Sequence, residues 1–310
     1  MSEKVVVSLP DSANEFQLLQ AADAQSTAAR LGLDVEVLYA DNNAVLQIQQ
    51  IFKFIHAEHR PGAIVVEPVA VEGMERVVQK AASVGIGTAI LNTTVAYVDR
   101  LRGEFPTLPI FAVGSDQVEI GRLQGRQMQA LLPSGGTVLY IQGPRNSPVA
   151  GERLKGTQDG IAGLDIRTVV IDAQWTEESA EKAVRSWLRL KTTESVRIDL
   201  VAGQDDSIAR GARRAFEAAP EASGRWAQIP FLGIDGVPSV GQKLVHSGQL
   251  TATVIMPSNT GPALEAVARW RRSGAVPPAS LRVAVESFPS EKELPLRAAS
   301  RRPPGASHTS

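Results

Sequence analysis

Two aromatic side chains stand where a sheet protein places groups that touch a ligand. Phe16 comes shortly after the apolar run Val5-Val6-Val7-Ser8-Leu9, and Trp175 shortly after Thr168-Val169-Val170-Ile171-Asp172. A helical pattern follows each of them, and aromatic residues make up only 5 % of the chain. Open parallel α/β sheets bind ligands just beyond the ends of their strands. An aromatic face also packs on the apolar C–H face of a sugar ring, so two such faces could clamp one small ring. Each ring has a plainer alternative as core filling. Polar residues stand at similar points. Asp235 closes Phe231-Leu232-Gly233-Ile234, Asp205 opens a helix after another strand, and Asn14 lies just ahead of Phe16. An ionised carboxylate accepts from hydroxyls without offering donors of its own, whereas an asparagine amide does both. All three have a second reading as helix caps, and Asp206 is the expected cap of the helix beside Asp205.

These residues need strands to carry them, and the pattern supplies ten. Short β-branched runs at 4–9, 33–39, 62–67, 86–91, 110–114, 136–141, 167–172, 197–202, 230–234 and 251–256 alternate with helical segments such as 43–59, 72–84, 116–132, 176–190, 205–217 and 259–273. That alternation predicts βαβ units and parallel sheets covered on both faces. Residues 98–109 read as a loop before a new strand and mark a domain boundary. Residues 291–310 carry no apolar period and read as a disordered tail.

Composition narrows the chemistry. The 310 residues are enough for two domains with cores of their own. A formal charge of −1 argues against a broad basic face for nucleic acid or membrane. With no cysteine, disulfides and thiolate chemistry are excluded. The four histidines, His56, His59, His246 and His308, form no metal-ligand pattern. No phosphate loop, dinucleotide fingerprint or nucleophile elbow is present, so no enzyme activity, cofactor or metal is expected. The short apolar run after Met1 does not make a secretory signal. As written the chain is expected in the cytoplasm; a trimmed export signal would place it in the periplasm.

Several short motifs, taken in order, resemble those of type I periplasmic sugar-binding proteins, with the ribose-binding branch most alike. They are Ser8-Leu9 with Asn14-Glu15-Phe16, Arg30-Leu31-Gly32, Gly114-Ser115-Asp116, Ile141-Gln142-Gly143 with Gly151-Glu152-Arg153, Gly233-Ile234-Asp235-Gly236, and Gly248-Gln249-Leu250-Thr251-Ala252-Thr253. The resemblance runs from about Glu3 to Pro289. It implies an α/β fold of two Rossmann-like lobes with parallel sheets joined by a three-segment hinge. Lobe one would hold 1–114 and 257–279, lobe two 115–256 and 280–290, with crossovers near Ser115, Pro257 and Pro278. A ligand would lie in the cleft and be enclosed by hinge closure.

Carried over position by position, the resemblance makes Phe16 and Trp175 the sugar-stacking rings and Arg153 the hydroxyl-binding guanidinium. The alternative for Arg153 is a surface ion pair with Glu152 or Asp159. Neither Trp175 nor Arg153, facing an open cleft, is expected to hold the empty protein together. Two departures bear on the ligand. Asn92 and Thr93 stand where the ribose branch has an acidic–basic pair, and Met256 stands where it has a glutamine; Asn259 would supply the missing amide, or the contact is apolar. The candidate ligand residues are thus Asn14, Phe16, Asn92, Arg153, Trp175, Asp205, Asp235, Met256 and Asn259. The implied function is capture of a small sugar or polyol by a monomer, for an ABC permease or a sensor protein, without nucleic acid. The alternatives are an effector domain like that of lactose-repressor-type regulators, without a DNA-reading module, and an α/β sugar enzyme.

Overall fold

In the computed structural model, which describes residues 4–93, 95–190, 196–219, 224, 226 and 228–295, each of the ten β-branched runs contains a strand. The first part of the chain alternates β1 (Lys4–Leu9), α1 (Glu15–Leu31), β2 (Asp34–Tyr39), α2 (Ala44–Ile55), β3 (Ala63–Val66), α3 (Met74–Ser83), β4 (Gly87–Leu91), α4 (Tyr97–Glu104) and β5 (Ile110–Gly114). The second repeats the scheme with α5 (Gln117–Leu131), β6 (Gly136–Gln142), α6 (Pro148–Gly160), β7 (Ile166–Asp172), α7 (Glu177–Leu188), β8 (Leu200–Gly203), α8 (Asp206–Glu217), β9 (Phe231–Asp235), α9 (Gly241–His246) and β10 (Ala252–Ile255). The chain closes with α10 (Thr260–Ser273), β11 (Ser280–Arg282) and β12 (Glu286–Phe288).

Two compact units result. One contains the residues up to Ser115 together with Pro257–Ala284, the other Asp116–Met256 and the residues from Val285 on. The first sheet has the order β11-β5-β4-β3-β1-β2 and the second β12-β10-β9-β8-β6-β7. All recorded strand pairs are parallel except β10–β12. Each order reverses direction once, between β1 and β3 in the first unit and between β6 and β8 in the second. Such a switch point opens a crevice outside the carboxyl ends of the strands. Each unit is a Rossmann-like α/β lobe, so the chain contains the two lobes that the motifs imply.

Three expectations need correction. Residues 98–109 are not a loop at a boundary: α4 takes up their first part, with Val98 and Leu101 buried on one helical face of the first unit. The last passage between units lies after Ala284, not near Pro278, because Ser280–Arg282 pairs with Ala112–Gly114 of β5. The tail does not begin at 291. Leu294 is fully buried in a cluster with Met128, Val138 and Tyr140, and Glu291 pairs with Arg126 at 3.1 Å. Residues 296–310 lie outside the described residues.

One contact inside the second unit sets the position of a site residue. α5 and α6 touch backbone to backbone, so that a Cβ on Gly121 would lie 2.1 Å from the carbonyl oxygen of Arg153. Any side chain there must push α6, and Arg153 with it, off the sheet. Gly121→Val is therefore expected to destabilise the protein by about 1–3 kcal/mol. A urea unfolding midpoint unchanged in this variant would show that the helices are not seated on each other.

Candidate functional site

In the first unit the strand ends carry a buried carboxylate that the sequence reading passed over. Glu67 directly follows β3 and is 8 % exposed. Its Oε1 accepts from Gln17 Nε2 at 3.1 Å and Asn92 Nδ2 at 3.2 Å, and its Oε2 from Gln20 Nε2 at 3.1 Å. The Glu67 carbonyl takes a further amide proton from Gln47, whose Nε2 also reaches Ser8 Oγ. A buried carboxylate needs such donors, since desolvation without them costs several kcal/mol. Asn92 adopts φ 59° at the end of β4. Asparagine tolerates that left-handed geometry better than most residues, and the turn brings its amide to Glu67.

The other first-unit candidates gather around the same strand ends. Asn14 is the N-cap of α1: its Oδ1 accepts from the backbone N–H of Phe16 at 2.9 Å and of Gln17 at 3.3 Å. That is the capping alternative, and it holds Phe16 and Gln17 in the first turn. Phe16 is 4 % exposed. Asn259 is fully buried, and neither atom of its side-chain amide has a hydrogen-bond partner among the described residues. Its backbone N–H donates to Gln20 Oε1 at 2.7 Å. Gln20 thus bridges Glu67 and Asn259.

In the second unit the candidates converge on Arg153. This side chain is 3 % exposed, so the surface ion pair with Glu152 or Asp159 is ruled out; Asp159 instead meets Lys155 and Arg122. Arg153 Nε donates to Gln117 Oε1 at 2.9 Å, Nη1 to the carbonyl of Gln204, and Nη2 to Met256 Sδ at 3.1 Å. Asp235 Oδ1 lies 3.9 Å from Nη1. The ring of Trp175 faces the guanidinium with 5.8 Å from Cζ to the ring centroid, a cation–π distance. Met256 is accordingly a partner of the guanidinium as well as a buried apolar group. The expectation that Arg153 does not support the empty protein is overturned, because it ties together α5, α6 and the ends of β8 and β10.

Trp175 is half-buried. It packs on the apolar cluster of the second unit, and its six-membered ring lies against Gly143, where a Cβ would come within 2.2 Å of Cη2. The residue after β6 must be glycine for the ring to lie there. Asp235 is held at φ 98°, a strained geometry for a residue with a Cβ, and strain of this kind collects at functional sites. Its turn is fixed by Asp206, whose Oδ2 accepts from the Gly236 N–H at 2.8 Å while Oδ1 accepts from Thr253 Oγ1 at 2.7 Å.

Asp205 takes its alternative reading as helix cap, and Asp206, the expected cap, does not cap α8. Asp205 caps α8 through the Ile208 N–H, and Asp206 is the interior acceptor that joins the β8 end to β9 and β10. Gln204, also overlooked, is fully buried: Nε2 donates to Tyr140 Oη and to the Ala150 carbonyl, and Oε1 accepts from the Gly143 N–H. The signal available in the sequence was position alone. Glu67 and Gln204 stand directly after apolar runs, as Asp235 does at the end of one.

Two α/β units with switch-point crevices, one carrying a buried arginine beside an indole and a carboxylate, hold the groups with which a protein binds small polar molecules. A sequence profile described as periplasmic binding protein domain matches residues 5–260, and the chain belongs to that family. A Rhizobium meliloti protein named for rhizopine binding is 29 % identical over 192 residues, 61 % of this chain and 59 % of that relative. The ribose import binding protein of Escherichia coli is 24 % identical over 241 residues, 78 % of this chain and 75 % of its own length. Among solved structures, a periplasmic solute-binding protein of Actinobacillus succinogenes with bound D-allose superposes with a TM-score of 0.81 at 21 % identity, covering 94 % of this chain and 98 % of that one. A Caulobacter myo-inositol binding protein gives 0.78 at 24 % identity, covering 96 % and 97 %.

Proposed function

We propose that the protein is a solute-binding protein for a small sugar or polyol, which it hands on unchanged to an ABC permease. In each unit the candidate residues stand at the carboxyl ends of the strands. The observation that carries this reading is Arg153, buried yet backed on one side by Gln117, Gln204 and Met256 and bordered by the Trp175 ring and Asp235. An indole face for C–H groups beside a guanidinium and a carboxylate for hydroxyls is the chemistry a polyhydroxylated ring requires. Phe16, Asn14, Asn92 and Asn259 are the candidate groups of the first unit. The sugar- and polyol-binding relatives support the ligand class, and the family supports action outside the cytoplasm.

A thermal-shift screen across neutral and amino sugars and polyols tests the reading. At a concentration 100-fold above Kd, a true ligand adds roughly 2.7 kcal/mol to the folded state, which raises the melting temperature by several degrees. No shift with any compound would contradict it.

A further inference from the structure

We propose that Gln204 is a positioning residue for solute binding, one buried amide that holds the Trp175 ring and the Arg153 guanidinium in a fixed arrangement before any solute arrives. The inference rests on the solute-binding reading above and assigns a residue that acts through others. Gln204 directly follows β8 and is fully buried. Its Oε1 accepts from the Gly143 N–H at 2.9 Å. That bond fixes the backbone on which the six-membered ring of Trp175 lies, at a residue where a Cβ would come within 2.2 Å of Cη2. A ring seated so closely follows any shift of its floor. On the other side Nε2 donates to the Ala150 carbonyl at 2.9 Å, in the first turn of α6, and Arg153 stands one turn later on that helix. The Gln204 backbone carbonyl then accepts from Arg153 Nη1. One residue thus supports the floor under the indole, the helix that carries the guanidinium, and the guanidinium itself.

The amide has one orientation. Nε2 gives its second proton to Tyr140 Oη at 3.0 Å. Flipped end for end, the NH₂ would meet the Gly143 N–H donor against donor, and Oε1 would face the Ala150 carbonyl. Beyond Tyr140 the hydroxyls also run one way. Thr157 Oγ1 donates to the Gly121 carbonyl at 3.3 Å, so the Tyr140 hydroxyl donates to Thr157 Oγ1 at 3.2 Å. That branch leads away from Trp175 and Arg153, to the place where α5 meets α6. A fully satisfied buried network holds its members rigid. A ring and a charge held ready bind more tightly than groups that must be ordered first, because the ordering is subtracted from the affinity.

The test compares Gln204→Met, close to glutamine in length but without its hydrogen bonds, with Tyr140→Phe, which removes only the branch that leads away. Calorimetry uses the sugars and polyols of the screen, D-ribose, D-allose and myo-inositol among them. Whichever compound binds the unaltered protein should bind Gln204→Met about tenfold or more weakly, because two groups then have to be ordered on binding. In the solute-free variant the indole N–H signal of Trp175, assigned by its absence from Trp175→Phe, should shift or broaden in the nitrogen–proton NMR spectrum. Tyr140→Phe should melt lower yet keep both the affinity and the indole signal. A purely structural role predicts instead that binding follows the melting temperature in both variants. Unchanged affinity in folded Gln204→Met would overturn the proposal and leave the solute-binding reading standing. Weaker binding with an unmoved indole signal, or equal weakening in Tyr140→Phe, would also overturn it. If Gln204→Met does not fold, NMR relaxation of the unaltered, solute-free protein decides. A Trp175 indole as rigid as that of buried Trp187 supports the proposal, and one mobile on the picosecond-to-nanosecond scale overturns it. Absence of binding by every compound would count against the solute-binding reading, and this inference would fall with it.

Discussion

Arg153→Ala is expected to abolish measurable solute binding and also to lower the stability of the empty protein by about 3–5 kcal/mol, the range for removing one member of a buried charged cluster. The expectation follows from where the guanidinium goes. It is 3 % exposed and donates to Gln117, Gln204 and Met256 with Asp235 nearby. Its removal leaves a buried amide oxygen and a buried carbonyl without their donor, and Asp235 without its cation. Arg153→Met fills much of the same volume without leaving a cavity, so it should lose less stability but bind no better. Unfolding curves on the ligand-free variants and calorimetry on those that fold read the two effects apart. Full stability of Arg153→Ala without ligand would mean that the guanidinium is not part of the packed interior.

Trp175→Ala carries the second large effect, and there binding dominates. A ring that anchors a ligand costs about 2–4 kcal/mol on truncation, a loss of roughly 30- to 800-fold in affinity. The ring is half-buried and lies on Gly143 at the edge of the second unit's apolar cluster, so some stability goes with it, though less than for a core tryptophan. Trp175→Phe keeps an aromatic face and should recover most of the affinity. That rescue separates stacking from simple packing. Equal loss of stability in both variants with unchanged affinity would make the residue a support for Gly143 and not a ligand contact.

Much of the scaffold could be read from the chain because buried parallel strands are continuous apolar runs. Val5-Val6-Val7 and Val169-Val170-Ile171 need no tertiary information to be recognised. The three-residue strands 280–282 and 286–288 were missed because so short a segment carries no period, and pairing with β5 and β10 defines them. Helix α4 was hidden by Asp99, Arg100, Arg102, Gly103 and Glu104, which leave only Val98 and Leu101 as its buried pair. Leu294 lies in a segment without an apolar period, and only its contact with Met128 and Val138 reveals it.

The site divides in the same way. Phe16, Trp175 and Asp235 could be picked out because each follows or ends a strand and is chemically conspicuous. The burial of Arg153 could not, since it depends on α5 and α6 meeting at Gly121, a contact between segments far apart in sequence. Asp205 and Asp206 differ by one position on a helix start, and the choice between cap and interior acceptor turns on where β9 and β10 bring Gly236 and Thr253. Glu67 was overlooked because a single glutamate before a proline carries no pattern. Its three amide donors come from α1 and from the end of β4.

Titration calorimetry of the purified protein with the compound that raises its melting temperature most, followed by recovery of that compound, tests solute binding most directly. Saturable binding at one ligand per chain, with the compound recovered chemically unchanged after prolonged incubation, is the predicted result. Conversion of the compound into a product, or heat that never saturates, would contradict it.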